Sequence, residues 1–99
     1  MIFNDIFSNI KPIIGVVHLL PLPGSPKYSD NKNKIIEQAV YESKLLESGG
    51  VDGIIVENYN DQPFSIHGIS KEQLALMSSI VMMVRDEINL PVGVNVHYN

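Results

Sequence analysis

Five polar side chains stand at the ends of three apolar runs. His18 closes Ile13-Ile-Gly-Val-Val-His, Glu57 and Asn58 close Val51-Asp-Gly-Ile-Ile-Val-Glu-Asn, and Asn95 and His97 close Pro91-Val-Gly-Val-Asn-Val-His. In one reading Glu57 is a general base or acid tuned by burial, and His18 is its proton-transfer partner. Asn58 and Asn95 then hold the polar groups of a substrate. In a second, His18, Glu57 and His97 supply imidazole and carboxylate ligands to a divalent metal, although ligands from three separate runs have no diagnostic spacing. In a third, His18 and Glu57 only satisfy each other and fix the chain around them. His67, beside Gly68, reads as a solvent-facing turn residue.

The elements that position these groups follow from periodicity. The three runs start about 40 residues apart and read as strands, with helical patterns between them. The first helix spans roughly Asn33 to Ser48, with Ile36, Ala39, Val40, Ser43 and Leu46 on one face and Gly49-Gly50 ending it. The second begins at Ser70. Ser70-Lys-Glu-Gln73 forms a capping box, and Leu74, Met77, Val81, Val84 and Ile88 make its buried stripe. This is the order of βα units in a parallel sheet, in which ligands meet the carboxyl ends of the strands. Three prolines in Pro21-Leu-Pro-Gly-Ser-Pro26 favour an extended, stiff loop, a candidate lid. The loop from Asn58 to Ile69 is longer than a simple connection needs. Strand side chains alternate, so Gly93, Asn95 and His97 share one face, and Val92, Val94 and Val96 suit a helix-covered one. Asn58 follows Glu57 directly and points to the opposite side unless the chain turns, which fits a loop-shaping residue.

Composition narrows the classes. The hydrophobic fraction of 44% is that of a globular domain, and the net charge of −4 comes with no basic cluster, so no nucleic-acid partner is expected. The chain has no cysteine, which excludes disulfide and thiol chemistry and fits a cytoplasmic protein. No apolar run reaches membrane-spanning length. Ile2, Phe3, Ile6, Phe7 and Ile10 share a helical face without cations, which reads as a lead-in helix packing on the domain and not as a membrane-surface helix. There is no G-x-G-x-x-G, no P-loop and no nucleophile elbow.

Three longer stretches resemble the BtpA/SgcQ family: Lys11-Pro-Ile-Ile-Gly-Val-Val-His-Leu-Leu-Pro-Leu-Pro-Gly-Ser-Pro26, Gly49-Gly-Val-Asp-Gly-Ile-Ile-Val-Glu-Asn58 followed by Pro63-Phe64, and Leu90-Pro-Val-Gly-Val-Asn-Val96. The resemblance runs from Lys11 onward. It implies the first three strands of a (β/α)8 TIM barrel of the phosphate-binding type, so residues 1–99 form a single partial domain of a barrel well over twice as long. It also implies an enzyme or small-molecule binder for a phosphorylated or sugar-like substrate, or else a scaffold for assembling a membrane complex such as photosystem I, as for the cyanobacterial namesake. Peripheral membrane association is not indicated by these residues, and the resemblance names no cofactor. His18, Glu57, Asn58 and Asn95 stand within the matching motifs. The family's third motif typically continues Leu-Arg-Asn-Asp, whereas this chain reads His97-Tyr98-Asn99. Only Asn99 matches, as a further substrate-binding residue, and the departure at His97 counts against the metal reading, so no metal is expected. Three strands without their neighbours are expected to lie in the order 1-2-3 and to leave apolar surface open, so that the 99-residue chain self-associates.

Overall fold

The computed structural model describes residues 3–8, 11–61 and 68–97. It is an α/β structure. Helix α1 (Phe3–Ile6) leads into β1 (Ile14–His18), α2 (Lys32–Ser48), β2 (Gly53–Glu57), a 3-10 turn (Tyr59–Asp61), α3 (Lys71–Glu87) and β3 (Val92–Asn95). The three strands form one parallel sheet in the order β1-β2-β3. His18 lies opposite Glu57, and Glu57 opposite Asn95, so the polar groups gather at one end of the sheet. Pro63 and Phe64, the turn residue His67 and the candidate ligand-binding residue Asn99 lie outside the described residues, as do Ile2 and Ile10.

Several boundaries shift for local reasons. Helix α2 begins at Lys32 because Asn31 is the cap, its side chain accepting from the Lys34 amide at 3.0 Å. Gly49 stays right-handed, and Gly50, at φ +95°, makes the left-handed turn that suits a residue without Cβ. Strand β2 starts at Gly53, later than Val51, because Asp52 exchanges two bonds with Ile13: its amide donates to the Ile13 carbonyl and its carboxylate accepts from the Ile13 amide, each at 2.8 Å. The capping box at Ser70 and Gln73 forms in both directions.

One face of the sheet is covered. Val17 of β1 and Ile54 and Val56 of β2 are buried against Ile35 and Ala39 of α2 and Met77, Ile80 and Val84 of α3. The buried stripe of α3 is therefore Gln73, Met77, Ile80 and Val84, and Leu74 is 44% exposed. Spacing alone allows either of two stripes offset by one residue, and docking on the sheet selects the one containing Ile80. On α2, Ile35 is buried where periodicity points to Ile36, by the same offset. Gly15 permits the close approach of α2: a Cβ there would lie 2.9 Å from a Leu46 methyl. Of the β3 valines, Val92 and Val96 are partly covered, but Val94 is 52% exposed.

The opposite face is open. Ile14 and Val16 are exposed, and Ile14, Gly53, Ile55 and Gly93 line an apolar groove of about 310 Å³ together with Ile6 and Phe7. Among the described residues the N-terminal helix is Phe3–Ile6, so Phe7 lies past its end and not on a continued helical face, and it sits beside Gly53. An open apolar face beside sheet edges that are unpaired among the described residues should drive association. The 99-residue chain by itself is expected to elute as an oligomer or aggregate on size exclusion. A monomer with a sharp, reversible two-state melt would contradict this.

Candidate active site at the strand ends

Glu57 is the hub. Its Oε1 lies 3.1 Å from His18 Nε2, and its Oε2 accepts from Asn95 Nδ2 at 2.8 Å. His97 Nε2 stands 3.9 Å from Oε2 and 3.5 Å from Asn95 Nδ2. The open-face alternation of three adjacent strands brings these four side chains together: His18 ends β1, Glu57 ends β2, and Asn95 ends β3 with His97 two residues on. The Glu57 side chain keeps 17% of its surface.

Glu57 departs from the expectation that burial tunes it. The Asn95 hydrogen bond holds its pKa below the ordinary 4.5, helped by His97 and His18 and opposed by desolvation. The carboxylate is ionised at neutral pH and is set up as a base or an electrostatic partner, not as a proton donor. Because the folded pKa lies below the unfolded one, this stabilisation is full above about pH 4.5 and is lost as pH falls through the folded value. The stability gap between the parent protein and Glu57→Gln is therefore expected to narrow as urea melts are taken from pH 6 toward strongly acid pH. A gap that stays constant over that range would count against the Asn95 bond.

Three further residues, not singled out from the sequence, complete the surroundings. Tyr59 stacks on His18, with ring centroids 4.7 Å apart and planes at 21°, and makes a T-shaped contact with His97, centroids 6.3 Å apart. Asn60 Nδ2 donates to the Leu19 carbonyl at 2.8 Å. Asp61 is 5% exposed, and its Oδ1 accepts from the Leu22 amide at 2.7 Å. Burial pushes the Asp61 carboxyl up, against hydrogen bonds from Leu22, Asn58 and Ser25. The signal available for Tyr59 and Asp61 was their place in the long polar loop directly after β2.

Asn58 lies on the other side of the chain from Glu57 and is 2% exposed. Its Oδ1 accepts from the His97 amide at 2.7 Å, and its Nδ2 donates to the His97 carbonyl and to Asp61 Oδ2, each at 3.3 Å. It grips the peptide of His97 from both sides, which is the loop-shaping role its position suggested. The segment after β1 is tethered in turn. It is not extended, as its prolines suggested. It makes turns at Leu22–Ser25 and Ser25–Tyr28, with Gly24 at φ +90°, and Leu22 drops fully into the core. Asp61 and Asn60 tie it to the β2 exit. Among the described residues, no group of three His, Cys, Asp or Glu side chains is arranged to hold a metal ion.

A parallel sheet with polar groups gathered past its carboxyl ends places the chain among α/β proteins of the βα-repeat type. Residues 9–99 match the model of the BtpA family, and the chain belongs to that family. It is 44% identical over 92 residues to an uncharacterized protein of Pyrococcus furiosus, covering 93% of this chain and 35% of that protein. It is 44% identical over 93 residues to the photosystem I biogenesis protein BtpA of Synechocystis, covering 94% and 32%. To the putative sgc region protein SgcQ of Escherichia coli it is 30% identical over 95 residues, covering 94% and 35%. The chain spans about a third of the length of these curated relatives. No solved structure matches it significantly. No helix among the described residues is long and apolar enough to cross a membrane.

Proposed function

We propose that these 99 residues contribute the first three strands of a (β/α)8 barrel and part of the active site of an enzyme acting on a small phosphorylated or sugar-like substrate in the cytoplasm. Glu57 is the base and His18 its proton-transfer partner. Asn95 binds substrate and orients Glu57, Asn99 adds a further substrate contact, and Asn58, buried behind them, acts only by holding the His97 peptide in place. One observation carries the reading: an ionised carboxylate held between an imidazole and an amide at the carboxyl ends of three parallel strands. The open face beneath it, with Ile14, Val16 and Ile55, fits a barrel interior that further strands would fill. The lengths of the relatives leave room for those strands.

The test is a melt-shift screen of sugars and sugar phosphates against the complete gene product, followed by turnover of each hit. Stabilisation that survives Glu57→Gln but falls with Asn95→Ala fits these roles. A screen without hits rejects the enzyme reading. One observation favours a second reading: the Synechocystis relative is named for photosystem I biogenesis, which suggests a scaffold that assembles a membrane complex. A scaffold would keep its assembly role in the Glu57→Gln protein.

A further inference from the structure

The residues around Glu57 also indicate which part of a ligand they receive, an inference that rests on the reading above. We propose that Glu57, His18, Asn95 and Tyr59 take the uncharged, hydroxyl-bearing ring of a ligand, and that any anionic group on it is held away from these strands.

The first observation concerns cations. Phosphate groups are usually bound by Arg or Lys or by open backbone amides. The chain has seven Lys and Arg residues, and all lie among the described residues. The charges that bear most on Glu57 are those of His97 and His18, and none of the seven makes a hydrogen bond or ion pair with Glu57, His18 or Asn95. Lys32 and Lys44 instead pair with Glu72 and Glu87 on the outer helices. An anion beside the ionised carboxylate would meet like charge.

The second concerns amides. A loop after a strand can cradle an anion only if its N–H groups are open. In the loop after β1, the Leu19 amide donates to the Glu57 carbonyl, that of Leu22 to Asp61, that of Ser25 to the Leu22 carbonyl and that of Tyr28 to the Ser25 carbonyl. Pro21, Pro23 and Pro26 have no N–H to offer. Between Leu19 and Tyr28 no two successive N–H groups are left over, and a cradle for an anion needs successive ones.

The third concerns what the site does offer. Its carboxylate, imidazoles and amide mix acceptors and donors within a few ångströms, which suits hydroxyls that both give and accept hydrogen bonds. Tyr59, 45% exposed, adds a flat ring beside them, and the C–H face of a sugar ring matches such a wall.

The experiment uses the complete gene product with labelled histidine. The ring signals of His18 and His97 are followed while a panel of neutral pentoses and hexoses, their phosphates, and inorganic phosphate are titrated in. Neutral sugars are expected to move both rings, and inorganic phosphate at the same concentrations to leave them in place. Tyr59→Ala should weaken sugar binding about three- to tenfold, and Tyr59→Phe should hold it within about twofold, because the ring face carries the contact. Affinity, not signal position, is the readout for these variants, since losing the stacked ring shifts His18 by itself. Inorganic phosphate that moves the two rings, or a panel in which no neutral sugar moves them, would overturn the proposal. If sugar phosphates turn over in a Glu57-dependent way while inorganic phosphate sits on the rings, the enzyme reading survives and this one falls. If neither sugars nor their phosphates bind, both fall.

Discussion

Glu57→Gln in the complete gene product is expected to fold, bind substrate and lose turnover by about 10²–10⁴-fold, the usual contribution of a general base. Glutamine keeps the length of the side chain and its Oε1 can still accept from Asn95, so the hydrogen bond that anchors this side chain has a substitute. It cannot take a proton. His18 would remain stacked on Tyr59 and lose its carboxylate partner. If kcat falls while KM barely moves, the loss lies in the transition state. If Glu57 only satisfies His18, the same change lowers stability and leaves the turnover of folded protein nearly intact. The ratio of kcat to folded fraction, measured on one preparation, separates the two.

Asp61→Ala is expected to cost about 2–4 kcal/mol of stability, a large share of the total for a typical domain. The carboxylate is almost fully buried and serves two elements at once: the Leu22 amide after β1 and the Asn58 amide after β2. Truncation leaves the Leu22 N–H without its acceptor and loosens Asn58, which holds the His97 peptide. Asp61→Asn should cost less, because a neutral amide escapes the desolvation that raises the Asp61 pKa. Its own NH2 would then oppose that of Asn58. The exchanged pair Asn58→Asp with Asp61→Asn restores the donor and acceptor between the two side chains, but it turns a carboxylate oxygen toward the His97 carbonyl, so it should not recover the loss. Urea midpoints at constant m-value give the comparison. An alanine variant within about 0.5 kcal/mol of the parent would show that this network is not a stabilising element.

Much of this arrangement is legible in the residues alone. The three apolar runs, the helical periods between them, the capping box at Ser70 and the glycines after Ser48 fix element type and order, because each depends on neighbours within a few positions. Strand alternation and parallel order then place His18, Glu57 and Asn95 at one sheet end and on one side, as the register bears out. Sequence periodicity did not decide which of two offset stripes faces the sheet. Ile80 is buried and Leu74 exposed because the docking angle of α3 makes that choice.

The site divides along the same line. Residue types and spacing determined that a carboxylate, an imidazole and an amide would share the strand ends. Only the tertiary structure decided how they act on one another. Burial is the expected influence on Glu57, yet a hydrogen bond from Asn95 on the neighbouring strand outweighs desolvation and lowers its pKa. Asp61 and Tyr59 lie in a single 3-10 turn, too short for a period to mark a side chain, and their roles arise from partners 39 and 41 positions away, Leu22 and His18. Local chemistry is written in local order. A pKa, a clamp or a stacked ring depends on distances that exist only once the strands have paired.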